Sequence, residues 1–583
     1  MASPRPRRPR TRLLVAAALL ATATMALVAC TPSAPPPSTA TSGSPRLDDG
    51  PDRPFVTAGP SGVTVREGDD WTLPAGVRPT AASGFFSEQA SPADRVAVRS
   101  VDATWRQVQP AQGGPIDRDA TGGAQEMEFA SLNDQLATDG PFWMRLFASG
   151  EDWAPTWVAE RCGVTPIGPD YDGQMHLPIW NECVWSALLD TYRELFQTQG
   201  LAADPRLRFV YVPGAFTWAE FDYDIIGSAA ADGSLDLATY RSWYDHAWTD
   251  LVDIFGADSD KLVFTGEDYP FGPFGADDDL LARQAVDAGL GIRTGITELS
   301  NFHLSEAPSY GSSVLPNGHL VVDESLPIHD GSRVVATENE CYTACGYTTD
   351  DPYYAVRQSN LKALQLRVNW MYVVPTDSYL RQYAPHWDWV RLSLGKTAAT
   401  SADAWADLRD AEDTYWAGEP TGRFADPATW IDRPYVRNLE RWLVQTDVPG
   451  SVAHRSDADV HRKVFEPDNG TAYEGLRTST ADGDTGLVFT VDDRFAAATA
   501  GDHLVLKVTF RDSGSGSFRV DYPGGRSADI PRTGDGEWKT ATVSLPGIRH
   551  SAGSSEDLRI RLSLDTGADD LAVRFVRLIT TTP

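Results

Sequence analysis

Apolar runs alternate with amphipathic stretches from residue 82 to about residue 450 of this chain. Short apolar runs without a polar face are typical of buried strands in parallel sheets, and stripes at helical spacing predict helices between them. The predicted strands are 82–87, 97–105, 141–149, 207–212, 262–267, 291–299, 333–337 and 369–375. The predicted helices are 126–138, 183–198, 237–255, 277–288 and 352–366. This alternation predicts an α/β fold, a (β/α)8 TIM barrel.

The pattern changes near residue 456. From there apolar and polar residues alternate between turns rich in Gly, Asp and Ser, which predicts half-buried antiparallel strands. We therefore expect an all-β, jelly-roll-like sandwich over 456–583 that follows a barrel over 55–455. The sandwich resembles modules appended to secreted carbohydrate-active enzymes. A sugar-binding module and a structural spacer both stay open, because Tyr522 and Trp538 are its only evident aromatic candidates.

The first residues have the pattern of an export signal. Five arginines among residues 5–12 precede an apolar stretch over 13–29, which ends in Leu27-Val28-Ala29-Cys30. This resembles a bacterial lipoprotein signal, with residues 1–29 removed and Cys30 lipidated. Residues 30–54, rich in Pro, Ser and Thr, then predict a disordered tether at the outer face of the cytoplasmic membrane. The alternative is a transmembrane helix, for which the apolar stretch is short.

The other cysteines are Cys162, Cys183, Cys341 and Cys345, an even number that fits an exported, oxidised protein. We expect bridges between Cys162 and Cys183 and between Cys341 and Cys345, although sequence allows three pairings. A zinc site is the alternative, but it lacks the usual C-x-x-C spacing, so we expect no metal and no cofactor. The net charge of -31 argues against nucleic acid or anionic lipid as a partner. We expect a monomer that contacts the membrane through its lipid anchor only.

Two predicted strands lead to glutamates, Glu220 after strand four and Glu338 at the end of strand seven. Residues at the carboxyl ends of barrel strands lie on the catalytic face. Cleavage of a glycosidic bond requires an acid that protonates the leaving oxygen and a carboxylate that attacks or activates water. The pair therefore predicts a glycosidase. Glu340 is an alternative nucleophile, and Glu267 after strand five is an alternative acid.

Four segments of the barrel resemble clan A retaining glycoside hydrolases, in the neighbourhood of families 5 and 42. These are TWRQVQPAQG after strand two, LFASGEDWAPTWV after strand three, FTWAE at Glu220 and VVATE at Glu338. The resemblance implies that Glu220 is the acid/base and Glu338 the nucleophile, with retention of configuration. The chain departs from the family at Ala219, where many members have Asn, and at Gln109, where they have Glu.

Substrate contacts are expected from strand-end aromatic and polar residues. Indole faces stack on sugar C–H faces, and arginines stabilise an ionised nucleophile. The candidates are Trp105, Arg106, Arg145, Trp157, Glu267, His303 and Trp370.

Three classes of function follow from these patterns. The first is a lipid-anchored glycosidase that acts on an oligo- or polysaccharide. The second is a surface lipoprotein that captures carbohydrate without catalysis, which Ala219 makes conceivable. The third is an adhesive surface protein that uses the sandwich. Hydrolysis of aryl glycosides separates the first class from the other two.

Overall fold

The computed structural model describes twelve segments of the chain. They are residues 54–124, 127–170, 173–212, 223–266, 281–294, 308–339, 352–375, 378–411, 436–456, 462–463, 471–548 and 558–581. Within these segments, no helix has the length and apolar character needed to cross a membrane.

A parallel sheet of eight strands forms the first part of the described chain. We number its strands one to eight along the chain. They are Gly84–Phe86, Arg99–Thr104, Phe142–Phe147, Leu207–Tyr211, Leu262–Thr265, Gly291–Thr294, Val335–Asn339 and Trp370–Val373. Consecutive strands are neighbours, strand eight pairs with strand one, and a parallel bridge between Phe86 and Val98 brings strand one beside strand two. The ring is nearly closed, and the predicted TIM barrel is confirmed.

The interior of this barrel is filled by aromatic and small apolar side chains from alternate strand positions. They are Phe86, Val98, Trp143, Phe209, Tyr211, Val263, Val334, Ala336, Trp370 and Tyr372. Residues of the opposite parity, such as Met144 and Val335, belong to the larger core under the helices. Both faces of the strands are therefore buried, which explains why they appear in the sequence as continuous apolar runs.

Helices cover the outside of the barrel. Those of the described residues are Trp105–Val108, Leu132–Leu136, Thr156–Cys162, Glu182–Tyr192, Tyr223–Asp232, Leu237–Phe255, Leu281–Asp287, Pro352–Gln365 and Ala384–Ser393, and a further helix, Asp493–Ala498, lies in the sandwich. A π-helical segment, Arg193–Thr198, continues the fourth helix. Short 3-10 turns occupy Gly256–Lys261, Pro308–Tyr310, Pro327–His329 and Thr480–Asp482. The helix predicted over 237–255 is confirmed, and Asp236 caps it by accepting a hydrogen bond from Ala238 N.

One helix prediction is wrong. Residues 126–138 were expected to form a single helix, but Gly122–Ala124 and Met127–Phe129 pair as a small hairpin and the helix spans Leu132–Leu136. Phe129, Leu132 and Leu136 have helical spacing and are all buried, yet Phe129 lies in a strand. Ser131 begins the helix, because its hydroxyl accepts a hydrogen bond from Asp134 N at 3.1 Å.

Antiparallel sheets form the second part. The first sheet contains Val63–Glu67, Trp538–Ser544, Leu504–Arg511, Ala572–Thr580, Asp403–Asp407 and Leu439–Arg441 in spatial order, with Leu476–Arg477 and His454–Arg455 at its side. The second contains Leu443–Thr446, Gly486–Val491, Arg559–Leu564, Ser517–Tyr522, Gly525–Arg526 and Ile530–Pro531. Smaller sheets pair Ser312–Val314 with Leu320–Val322, and Thr471–Glu474 with Arg409–Ala411 and Arg462–Lys463.

The two large antiparallel sheets share one apolar core, as the predicted β-sandwich requires. Leu506 and Val543 come from the first sheet, and Phe489, Val520 and Ile560 come from the second. Strands of the sandwich begin well before residue 456. Val63–Glu67 pairs along its whole length with Trp538–Ser544, and Asp403–Asp407 pairs with Ala572–Thr580. Segments on both sides of the barrel in the chain therefore belong to the sandwich.

A network of charged residues joins the barrel helix Pro352–Gln365 to the sandwich. Arg357 donates to Glu474 at 2.5 Å, and Arg574 donates to the same carboxylate at 3.0 Å. Arg574 also donates to Asp69 at 2.7 Å. Arg357 lies 3.9 Å from both Asp69 and Asp407. We call these five residues the junction network; all of their side chains are buried.

Candidate functional site

The carboxyl ends of the barrel strands carry a ring of polar side chains. Trp143, Arg145 and Phe147 alternate along strand three, and the Trp143 ring contacts Phe86 and Phe209 of other strands at 5.4 and 5.8 Å. The Arg145 guanidinium lies over Trp143 and Phe147 at 5.0 and 5.1 Å. Arg145 therefore belongs to the row that faces the barrel interior, above the aromatic filling.

Two carboxylates hold Arg145 in place. Its Nε donates to Asp102 Oδ1 at 2.8 Å and its Nη2 to Asp102 Oδ2 at 3.3 Å. Its Nη1 donates to Glu88 Oε1. Burial lowers the pKa of Arg145, but Asp102 and Glu88 outweigh burial and raise the pKa above its usual value. The guanidinium is thus a permanent positive charge with a fixed orientation.

Tyrosine and arginine side chains continue the ring on other strands. Tyr211 of strand four lies 4.6 Å from Trp143, and Arg293 of strand six lies over the Tyr211 ring at 5.7 Å. Tyr372 of strand eight contacts Phe86 at 5.5 Å. This face can bind a polar molecule over an aromatic floor, with donors and acceptors fixed by rigid strands.

The predicted nucleophile lies on this face by its position in the chain. Glu338 is the fourth residue of strand seven and pairs in register with Tyr372, which pairs in turn with Phe86. Two positions earlier, Ala336 faces the barrel interior. The side chain of Glu338 is outside the described part of the structure. Glu220, Glu267, His303 and Glu340 also lie outside the described residues.

The structure places Arg106 away from this ring. Its Nε donates to Ala154 O at 2.9 Å, and its Nη2 donates to Glu151 O. Both acceptors are backbone carbonyls of the loop after strand three. Arg106 therefore anchors that loop, while Arg145 is the arginine inside the barrel mouth.

The two tryptophans predicted after strands two and three pack against each other. Trp105 is fully buried, and its ring lies 6.0 Å from the half-buried ring of Trp157. Gln109 holds both indoles, because its Oε1 accepts from Trp105 Nε1 at 3.1 Å and its carbonyl accepts from Trp157 Nε1 at 3.3 Å. The side-chain amide of Gln109 thus has a structural role here.

Trp370 is only 5% exposed and fills the barrel interior. It is the first residue of strand eight, opposite Gly84, and its ring contacts Phe209 at 5.7 Å. A Cβ at Gly84 would lie 3.3 Å from the Trp370 ring, so the glycine provides space for the indole. Trp370 therefore lies two residues below Tyr372 in the barrel, further from the mouth.

Three side chains, of a Ser, a His and an Asp, are joined by hydrogen bonds just beyond strand three. Ser149 Oγ and His176 Nδ1 are 3.0 Å apart, and His176 Nε2 and Asp170 Oδ2 are 2.8 Å apart. These groups are those of a serine hydrolase, but Ser149 is only 1% exposed and so is closed to a substrate. His176 also pairs through its backbone with Ile167. These three hydrogen-bonded side chains thus fix the loop that borders the barrel mouth.

The same loop contains the predicted disulfide between Cys162 and Cys183, which is confirmed. It joins the last residue of helix Thr156–Cys162 to the second residue of helix Glu182–Tyr192. Cys30, Cys341 and Cys345 lie outside the described residues. In the part of the chain that is described, no group of three or more His, Cys, Asp or Glu side chains is arranged to hold a metal ion.

The aromatic candidates of the sandwich are packed. Tyr522 is buried and donates its hydroxyl hydrogen to Pro546 O at 3.2 Å. Trp538 lies under the Arg574 guanidinium at 4.3 Å and near Arg511 at 5.7 Å. Neither ring forms an open platform for a sugar.

Sequence reasoning missed two residues of the ring, Glu88 and Asp102. Glu88 is the second residue after strand one, so the rule that singled out Glu220 and Glu338 would also have found it. Asp102 interrupts an apolar strand and has no such signal, because its partner Arg145 lies on a different strand.

Comparisons with known proteins add no family to this picture. No protein-family model matches the chain, and no curated protein sequence matches it.

Proposed function

We propose that this protein is an exported glycosidase that hydrolyses O-glycosidic bonds of a carbohydrate with retention of configuration. The observation that carries the proposal is the position of Glu338, near the carboxyl end of strand seven in a parallel eight-stranded barrel. Active sites of such barrels lie at this face. Glu220, which follows strand four by nine residues, supplies the second carboxyl group that the reaction requires.

In the proposed mechanism, Glu338 attacks the anomeric carbon while Glu220 protonates the leaving oxygen. Glu220 then activates a water molecule that releases the sugar from Glu338. Arg145 holds the Asp102 and Glu88 carboxylates in fixed positions at the mouth. Tyr211 and Tyr372, only 2% and 4% exposed, form the packed aromatic floor beneath this face.

The test is hydrolysis of 4-nitrophenyl β-galactoside, β-glucoside, β-xyloside and β-mannoside by the wild-type protein and by Glu338→Gln. We expect wild-type turnover of at least one substrate and no turnover by the variant, because an amide has the same shape but cannot form a glycosyl-enzyme. Circular dichroism and melting temperature serve as folding controls. A variant as active as the wild type would assign the nucleophile to Glu340 or refute the mechanism.

A protein that hydrolyses none of these substrates but binds oligosaccharides would instead be a carbohydrate-capturing lipoprotein. Ala219, at the position where related enzymes have the asparagine that contacts the sugar, is the observation that favours this second candidate.

The proposal includes attachment to the outer face of the cytoplasmic membrane through lipidated Cys30. Cys30→Ser should move the protein from the membrane fraction to the soluble fraction, because the anchor requires the thiol. Retention of this variant on membranes would indicate that the apolar segment spans the bilayer.

A further inference from the structure

Glu88 differs in exposure from Asp102, the other carboxylate that pairs with Arg145. Its side chain is 38% exposed although its partner Arg145 is 1% exposed. Oε1 accepts from Arg145 Nη1, and within the described residues Oε2 has no hydrogen-bond partner. One oxygen is therefore held by the protein and the other is available to a ligand.

The support beneath Glu88 is rigid. Asp102 receives two hydrogen bonds from Arg145, and the guanidinium packs between the rings of Trp143 and Phe147. The Asp102 backbone is fixed in turn by Gln135, which accepts from Asp102 N at 3.0 Å and donates to Asp102 O at 2.8 Å. A carboxylate held this firmly loses little conformational entropy when it binds a ligand.

Strand register places Glu88 just beyond strand one, two strands away from the proposed nucleophile on strand seven. Glu338 pairs with Tyr372 and Tyr372 pairs with Phe86, two residues before Glu88. Two strand spacings and a rise of two residues give a backbone separation of about 12 Å between residues 338 and 88. A gap of this size accommodates one sugar ring between two side chains.

We propose that Glu88 is a substrate-binding residue that accepts hydrogen bonds from sugar hydroxyls and selects neutral sugars over uronic acids. The inference rests on the proposed glycosidase function and specifies its substrate class. A carboxylate oxygen without a partner forms a strong hydrogen bond with a hydroxyl group. The same oxygen repels a sugar carboxylate, which has no hydrogen to donate and carries the same charge. Arg145 and Asp102 are positioning residues, since they act through Glu88.

The experiment compares wild type, Glu88→Gln and Glu88→Asp on the four neutral 4-nitrophenyl glycosides and on 4-nitrophenyl β-glucuronide and β-galacturonide. For the neutral substrate that the wild type hydrolyses best, we expect Glu88→Gln to lower kcat/KM about 10- to 100-fold, because a charged acceptor is lost. The ratio of uronide to neutral kcat/KM should rise in Glu88→Gln, because the repulsion is removed. Glu88→Asp retains the charge and should still reject the uronides.

Asp94→Asn is the matched control. Asp94 is 37% exposed and pairs with Arg95 and Arg381, so it resembles Glu88 in exposure and partner but belongs to neither the ring nor its supports. Its substitution should leave kcat/KM and the uronide ratio unchanged. Circular dichroism of each variant verifies folding, which the surface position of Glu88 favours.

The two levels of the proposal fail in different ways. If the wild type hydrolyses a neutral glycoside and folded Glu88→Gln has the same kcat/KM and the same uronide ratio, the role of Glu88 is refuted and the glycosidase remains. If the wild type prefers a uronide, the proposed selectivity is refuted. If the wild type hydrolyses none of the six substrates, the proposed function fails and the role of Glu88 fails with it.

Discussion

The junction network and the charged network at the barrel mouth, both within the described residues, end differently. In the junction network, Arg357 and Arg574 are enclosed with Asp69, Asp407 and Glu474, and every side chain is buried. In the barrel mouth, Arg145 and Asp102 are buried in the same way, but the network ends at Glu88, which is exposed to solvent.

This difference distinguishes a closed network of buried charge from one that has an end exposed to solvent. Burial of an ion is costly, so each buried ion needs partners that satisfy it. The junction network pairs its arginines with carboxylates inside the protein and fixes how the barrel helix Pro352–Gln365 meets the sandwich. The mouth network leaves one carboxylate oxygen facing outward, on the face where barrel enzymes bind their substrates. Buried charge alone therefore does not mark a candidate site; an end that a ligand can reach is needed as well.

The largest expected effect tests the mouth side of this comparison. Glu220→Ala should lower kcat/KM for substrates with poor leaving groups by about 10² to 10⁴, because protonation of the leaving oxygen is lost. The unfolding free energy should change little if Glu220 acts in catalysis. Steady-state kinetics on the natural type of substrate and on a dinitrophenyl glycoside measure the difference.

The dinitrophenyl substrate should be affected less, because its leaving group needs little protonation. Added azide should restore the second step and produce a glycosyl azide of retained configuration, in place of the water that Glu220 activates. Equal loss on both substrates without azide rescue would contradict the assignment, and the acid would then have to be sought at Glu267.

The next effect tests the junction side. Arg357→Ala should lower the unfolding free energy by about 3 to 5 kcal/mol, because it removes one of the two arginines of this buried, mostly acidic network. Glu474 and Asp69 keep Arg574, but Asp407 loses the arginine 3.9 Å away. Activity of the folded fraction should be unchanged, since the residue lies outside the barrel mouth. Urea unfolding at pH 7 gives the free energy, and initial rates give the activity.

Arg381→Ala is the control for this change. Arg381 forms an ion pair with Asp94 at 3.1 Å but is 87% exposed, so its loss should have almost no effect on stability. Equal stability of the Arg357 and Arg381 variants would show that the junction network contributes no more than a surface pair. Loss of activity in folded Arg357→Ala would show that the two networks are coupled.

The barrel was largely predictable because its strands have a local signal. Both faces of strands such as Phe142–Phe147 are buried, so the apolar run itself marks the strand. The hairpin that contains strand Met127–Phe129 was missed, because its residue Phe129 has helical spacing with Leu132 and Leu136 and so also fits a helix. Val63–Glu67 was missed because its partner, Trp538–Ser544, lies near the other end of the chain.

The site was less predictable than the fold. The rule that strand ends carry function led equally to Arg145, Trp105 and Trp370, all of which are buried. It also led to Glu338, whose side chain is outside the described part of the structure. Sequence gives the position along a strand but not what a side chain contacts. Arg106 and Arg145 looked equivalent, and only the three-dimensional contacts show that Arg106 holds backbone carbonyls while Arg145 holds two carboxylates.

The smallest expected effect uses pH to distinguish the regions. His386 lies beside the junction network, packed against Trp71 at 4.4 Å and accepting a hydrogen bond from Asn360 at 3.1 Å. Burial, reinforced by Arg357, lowers the pKa of His386 to about 3 from its usual value of about 6.5. Between about pH 3 and pH 6.5, the folded state thus binds fewer protons at His386 than the unfolded state does. Stability from this group is therefore fully present above pH 6.5 and is lost as the pH falls towards 3.

Between pH 7 and pH 5, protonation of His386 in the unfolded state should lower the unfolding free energy by about 2 kcal/mol. In His386→Phe, which cannot titrate, the difference between urea unfolding at these two pH values should shrink by that amount. Identical differences in variant and wild type would refute the linkage.

His246→Gln is a control of opposite sign, because Asp250 and Glu182 outweigh burial and raise the pKa of His246. Stability from His246 is lost as the pH rises, so its removal should widen the difference slightly. The pH profile of activity should stay unchanged in His386→Phe. His386 lies beside the junction network, so its protonation should affect unfolding and not the groups at the barrel mouth.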